Sequence, residues 1–392
     1  MAKTKTKTVT SKKKIKKSKP KKELSASDFI EQGDLALDSL DVNKALECYQ
    51  SAIPQLEDDK EKLADVMAKL GECKVSMGDQ DGARDAFEQA INLIPEGPNH
   101  KRAGYYLYLG QLSLEEEALE AYQKGIQELE NCIRYHTEKM EVEEQHTEDC
   151  QKNGEESPIS VKDLKQQLAL SHCTVAELFL TDLCYAENAE KDCEFHVESA
   201  MNIADEPIID ALQVMASLRL SQQKEAKPYI LKVYNQMKEG CDALATMVGL
   251  SEPLEEGAVE LSNVEAVNNL PSFEFRCQSV KLLLECGSDE CVQAAIQVLG
   301  SLLAENDEVV EIWYLLGCAF EMNGGNELAI EYWQRAREML LKVKENLQQD
   351  DDDEDDEIVQ QLNECQDQIL DIENKLKRSL EAEGKCDETM EQ

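Results

Sequence analysis

Apolar residues recur along most of the chain at helical rather than alternating spacing, in segments that come two by two. Phe29, Ile30, Gly33 and Ala36 share one face of a first segment, for which Ser27 with Asp28 offers an N-cap. Ala45, Tyr49 and Ala52 share one face of the next, and Pro54 ends it. Leu70 and Gly71, then Ala83, Phe87, Ala90 and Pro95, repeat the arrangement 38 residues later on either side of the turn Gly78-Asp79-Gln80-Asp81-Gly82. Far along the chain Trp313, Leu316, Gly317, Phe320, Ala329, Trp333 and Ala336 fall in the same order. The step from Gly to Ala is twelve residues each time: Gly33 to Ala45, Gly71 to Ala83, Gly317 to Ala329. The pattern predicts paired helices, with Gly and Ala where the axes approach and aromatic rings filling the space between neighbours.

Between these anchors the pattern loosens. Tyr106, Leu109, Gly110, Ala118, Tyr122 and Gly125 make a third pair, in which Gly110 to Ala118 is four residues short of the usual step. A fourth pair has a long first helix around Leu164–Tyr185, and a fifth runs through Leu212, Ala216, Leu220, Ala226, Ile230 and Val233. A sixth runs from Phe273 through Leu284, then Cys291, Ala295 and Val298, and the Trp313 segment opens the seventh. These positions resemble the tetratricopeptide (TPR) repeat family. The resemblance implies an all-α fold, a right-handed superhelical solenoid of about seven TPR-like helix pairs over residues 25–345. Two interruptions are expected, an acidic insert over 137–160 and a loop over 240–271 marked by Gly240, Gly249, Pro253, Gly257 and Pro271. An acidic linker follows over 346–357, with an unbroken run from Asp350 to Glu357. Ile358, Leu362, Cys365, Ile369, Ile372, Leu376 and Leu380 then form an apolar stripe within 358–392, read as a helix that caps the stack.

Charge changes the picture more than composition does. The formal net charge is −40, from 81 acidic and 41 basic residues, yet residues 1–22 hold eleven lysines and no acid. The remainder therefore sets 30 basic residues against 81 acidic ones, a body that repels nucleic acid and attracts basic proteins. Residues 1–24 read as a disordered arm, and Lys12, Lys13, Lys14, Lys16 and Lys17 read as a nuclear signal for an import receptor. No run of apolar residues suits a membrane span or a secretory signal, so the expected setting is intracellular, in cytoplasm and nucleus. Fourteen cysteines without a CxxC or a regular spacing read as buried free thiols; Cys193 with His196, His172 with Cys173, and Cys286 with Cys291 are the near neighbours a metal would need.

No nucleophile elbow, phosphate loop, HExxH or dinucleotide-binding glycine pattern occurs, so no enzyme and no cofactor are expected. The resemblance instead implies a groove lined by the first helix of each pair. Its positions correspond to Ile30, Asp34, Leu37 and Asp38 in the first pair and to Asp65, Glu72, Val75 and Ser76 in the second. The last pair contributes Glu311, Tyr314, Cys318 and Glu321, and the middle pairs Leu107, Glu115, Asp182 and Asp210. Acids alternating with apolar side chains suit an extended basic cargo. TPR proteins that clamp the acidic tail of heat-shock chaperones carry Lys and Asn where this chain has Ile30 and Asp34, and Lys and Arg where it has Gly104 and Tyr108, which weakens that adaptor reading.

A closer resemblance lies in three strings: Ala176-Glu177-Leu178-Phe179-Leu180-Thr181-Asp182-Leu183-Cys184, Ala216-Ser217-Leu218-Arg219-Leu220-Ser221 and Leu270-Pro271-Ser272-Phe273-Glu274-Phe275-Arg276. These, with the lysine-rich start and acidic C-terminal region, are similar to the dedicated assembly chaperones of the large-subunit ribosomal protein L-four. The resemblance implies capture of that newly made protein by its long basic internal loop, protection from aggregation, and escort to the nucleus for assembly of the 60S subunit. An acidic TPR histone chaperone shares the same logic and stays as the alternative.

Overall fold

The computed structural model describes residues 24–144, 160–203, 208–250, 260–349 and 356–390, and among them holds helices and no strand. The lysine arm with Lys12 to Lys17 lies outside the described residues, as do 145–159 of the acidic insert, 251–259 of the expected loop and 350–355 of the acidic run. The chain divides into two compact units, Met1–Glu128 and Leu129–Gln392.

The first unit pairs α1 (Ala26–Asp38) with α2 (Val42–Ala52), α3 (Lys60–Ser76) with α4 (Gln80–Leu93), and α5 (His100–Gln111) with the opening part of α6 (Glu115–Glu144). The N-cap of α1 is Ser25, two residues before the expected one. Its hydroxyl accepts from the Asp28 N–H at 3.2 Å, and the Asp28 carboxylate accepts from the Ser25 N–H at 2.8 Å, a reciprocal arrangement that Ser27 could not make with its neighbour. Asp41, Asp59 and Asp79 cap the next three helices, each accepting an N–H three residues on.

One packing motif recurs. A methyl group added to Gly33 would lie within 3.0 Å of the Tyr49 ring, one added to Gly71 within 3.0 Å of Phe87, and one added to Gly110 within 3.0 Å of Tyr122. Bare glycine lets the first helix of a pair sit on the aromatic ring of the second. The third pair keeps this contact with a Gly-to-aromatic step of twelve residues instead of sixteen, because α5 ends one residue after its glycine whereas α1 and α3 end five residues after theirs. One helical turn has been removed next to the connection.

The second unit continues α6 and pairs α7 (Val161–Leu180) with α8 (Ala189–Ile203), α9 (Ile209–Ser221) with α10 (Lys227–Met247), α12 (Phe273–Cys286) with α13 (Asp289–Glu305), and α14 (Val310–Met322) with α15 (Asn326–Gln349). A short helix, α11 (Glu260–Asn268), lies between the fifth and sixth pairs. Of the described residues in the expected loop over 240–271, 240–247 end α10 and 260–268 form α11. Gly240 does not break α10; it is small because a Cβ there would stand 2.6 Å from the Ala266 carbonyl oxygen, where α11 crosses. The acidic insert also begins later than expected, since α6 runs on to Glu144.

Gly317 rests on Trp333 as the other glycines rest on their rings, and Trp333 is wholly buried. The final helix, α16 (Asp356–Met390), lays Cys365, Ile369 and Ile372 against Trp333, Ala336 and Leu340, and so takes the capping place the apolar stripe predicts.

Polar anchors fix the middle of this unit. Arg276 is 2% exposed, donates to the Pro271 carbonyl at 3.1 Å and the Ser301 hydroxyl at 3.2 Å, and forms an ion pair with Glu305. Gln213 donates to the Phe275 carbonyl at 2.9 Å and the Ser279 hydroxyl at 2.7 Å. His172 and His196, both buried, share a hydrogen bond between their Nδ1 atoms at 2.8 Å, so the histidines that stood beside Cys173 and Cys193 in sequence meet each other.

Candidate functional site

The first helices carry the candidate surface, and the two units treat their acids differently. In the first unit Asp34 on α1 accepts from the Tyr49 hydroxyl at 2.7 Å and pairs with Lys69 on α3. Burial alone would raise its carboxyl; the hydrogen bonds from Lys69 and Tyr49, with the lysine charge, hold it below the ordinary carboxylate range. Asp65 on α3 repeats the arrangement one pair on, bound to Lys101 at 2.7 Å and to the Tyr105 hydroxyl at 3.1 Å. Both acids therefore tie one pair to the next. Glu72 is half-buried and lies near Tyr108, whose hydroxyl is held above its ordinary range by burial and then by that carboxylate's charge. Ile30 and Leu37 are half-buried against the first core, while Asp38, Val75 and Ser76 are exposed.

Glu115 lies elsewhere than expected. The missing turn ends α5 at Gln111, so Glu115 starts the second helix of its pair, with a left-handed φ of 49°, and does not belong to the first-helix face; Leu107 does, half-buried within α5.

In the second unit Asp210 stands at the start of α9, half-buried, and burial raises its carboxyl. Glu177 on α7 is exposed along its side chain, and its carboxyl is raised too, by lost hydration first and by the Asp210 charge second. No ion pair joins either acid to a cation among the described residues. Two like charges on neighbouring first helices form a place where an incoming Lys or Arg relieves repulsion. Asp182 is exposed in the turn after α7.

Glu311 pairs with Lys281 at 2.8 Å, and Tyr314 donates to Asp371 of α16 at 2.9 Å, with the Lys375 ammonium 5.7 Å from its ring centre. Glu311 and Tyr314 line a cavity of about 690 Å³ together with Asp367 and Asp371, so the capping helix adds acids to this end of the face. Cys318 is half-buried beside Tyr314, and Glu321 is exposed near the end of α14. The residues not foreseen are Glu177, Asp367 and Asp371, and the lysines that neutralise Asp34 and Asp65. The lysines had a signal: Lys69 follows Asp34 by 35 residues and Lys101 follows Asp65 by 36, the length of one helix pair.

The described cysteines are free thiols, and among the described residues no group of three or more His, Cys, Asp or Glu could hold a metal. No helix among them is long and apolar enough to cross a membrane.

Paired helices joined by glycine–aromatic contacts, with an added terminal helix, define a helical-repeat protein of the tetratricopeptide class. No family model matches the sequence. A protein of Schizosaccharomyces pombe named as a probable assembly chaperone of rpl4 is 31% identical over 279 residues, covering 70% of this chain and 69% of its own. One of the same name from Emericella nidulans is 25% identical over 301 residues, 75% of this chain and 64% of its own. A solved structure of the assembly chaperone of RpL4, Acl4, residues 1–338, superposes with a TM-score of 0.56 at 24% identity, covering 78% of this chain and 98% of that one; it speaks for the fold. The chain belongs to the family of assembly chaperones of rpl4.

Proposed function

We propose that this chain binds newly made ribosomal protein L4 through a basic extended segment, laid along the acidic first-helix faces, and keeps it from aggregating until it reaches the assembling large subunit. The observation that carries the reading is the relationship over 279 residues to a probable assembly chaperone of rpl4. Glu177 and Asp210 support the electrostatic part, because a cation brought there would offset the Asp210 charge that raises the Glu177 carboxyl. The acid-lined cavity at Glu311 and Tyr314 offers a second anchor with an aromatic wall. Carboxylates stand in for rRNA phosphates, and rRNA, with its denser charge, displaces them on delivery. The lysines from Lys12 to Lys17 supply the contact for an import receptor, which makes the working route cytoplasm to nucleus.

The test is recovery of the tagged full-length chain from cells during translation, with mass spectrometry of what accompanies it, beside a Glu177→Gln, Asp210→Asn variant. These two positions are preferable to Asp34 and Asp65, whose replacement would break ties between helix pairs. Ribosomal protein L4 should dominate, and the variant should bind it roughly tenfold more weakly, with the difference shrinking as salt rises. Histones in its place would move the reading to a histone chaperone, and unchanged recovery of L4 with the variant would remove Glu177 and Asp210 from the site.

A further inference from the structure

A groove of about 780 Å³ opens between α13 and α15, the second helices of the sixth and seventh pairs, with the start of α14 at its base. Apart from Trp313 on α14, its lining comes from second helices and the residues that follow them, and it shares no residue with the cavity at Glu311 and Tyr314. Trp313 and Tyr332 form its floor, ring centres 5.8 Å apart and tilted by 37°, and Tyr332 is stacked in turn on Phe320. The Trp313 indole N–H donates to the Asp307 carbonyl at 2.7 Å, which fixes the ring plane. Four carboxylates line the groove, those of Glu305, Asp307, Glu331 and Glu338, of which Glu305 is paired with Arg276.

One cation lines the groove, Arg335, and it indicates what the floor accepts. Its guanidinium lies 5.6 Å from the Trp313 ring centre, yet its ion contact is a long 3.7 Å to Glu338 and its side chain is 45% exposed. Glu331 has no ion-pair partner among the described residues. A weakly held arginine over an indole, with carboxylates in excess, is a site whose own occupant is replaceable.

We propose that this groove binds an arginine side chain from a basic segment of a partner protein. The incoming guanidinium takes the Trp313–Tyr332 floor from Arg335 and donates to Glu331 and Glu338. A planar guanidinium both stacks on an aromatic face and presents paired donors to a carboxylate; a lysine ammonium does neither as well. The chain's own arm over residues 1–22 does not fill the groove, because it carries lysines and no arginine. Nucleic acid is repelled by these carboxylates. This site goes beyond the proposed function and stands whether or not L4 is the cargo.

The experiment titrates the full chain with a blocked peptide of alternating arginine and glycine, following tryptophan emission and heat of binding. The protein has two tryptophans, and Trp333 is wholly buried, so a peptide seated on the half-buried Trp313 changes the emission of that ring. Saturable quenching is expected. A Glu331→Gln, Glu338→Gln variant should bind about tenfold more weakly. An Asp81→Asn, Asp85→Asn variant, with the same change in net charge far along the chain, should stay within about twofold of the wild type. The lysine–glycine peptide of equal length should bind clearly more weakly than the arginine one. Equal losses in the two variants, equal binding of the two peptides, or binding without a change in emission would each overturn the assignment.

Discussion

Replacing Arg276 by Ala removes a guanidinium that holds together three places: the Pro271 turn, Ser301 on α13, and Glu305 near the end of α13. Hydrogen bonds to a charged group contribute about 1.5–3 kcal/mol each, and breaking a fully buried ion pair costs about 3–5 kcal/mol. Two features lower the expected loss. The Glu305 side chain is 47% exposed and regains water, and the neighbouring cavity of about 380 Å³ lets water reach the vacated space. Ser301 also keeps its bond to the Val298 carbonyl. The loss should be about 3 kcal/mol, less than the sum of the separate bonds. Arg276→Lys should recover less than half, since one ammonium cannot reach all three partners. Urea unfolding of the full chain followed by circular dichroism measures the total, and amide hydrogen exchange shows where it falls: α12 and α13 should open first. A loss under about 0.5 kcal/mol for the alanine variant, or full rescue by lysine, would refute the role assigned to the guanidinium.

Two more outcomes follow from the packing. The imidazoles of His172 and His196 are held down at about 4 by burial, with the charge of its neighbour adding to the effect at His172. Each remains neutral in the fold while an unfolded histidine protonates near 6.5, so their stabilisation is complete above 6.5 and is lost as pH falls from there to about 4. The loss is on the order of 3 kcal/mol per ring. Urea midpoints measured from pH 7 to 4 should fall less steeply for His196→Phe than for wild type, and parallel curves would count against the pair as the cause. In α5, Gly104→Ala should stabilise by up to about 1 kcal/mol because nothing stands near the added methyl, whereas Gly110→Ala should destabilise by about 1–3 kcal/mol by striking Tyr122. Thermal unfolding of both variants reads the two signs, and the same sign for both would be a failure.

Gly33, Gly71 and Gly317 announced their helix pairs because glycine twelve residues before alanine and sixteen before an aromatic is a packing rule that a sequence displays directly. Gly240 misled for the same reason that made the others useful. A glycine at a close helix crossing and a glycine at a break look alike until Ala266 is known to lie across from it. The position of acids on first helices was legible too, but whether Asp34 faces cargo or Lys69 depends on a partner one repeat away. Glu177 and Asp210 were harder to join, since they lie on successive first helices, α7 and α9, with α8 between them in the chain. The buried role of Arg276 was hidden because an arginine in a sequence carries no mark of enclosure.

The shortened third pair also sets a rule for insertions and deletions in this fold. At 3.6 residues per turn each residue rotates a helix by about 100°, so losing four residues brings α6 back to nearly the same rotational phase, and Tyr122 still finds Gly110. Losing one or two would swing Tyr122 off that glycine and turn charged side chains inward. Length in such an array is therefore quantised: pairs can shrink or grow by whole turns while the surface they present keeps its bearing.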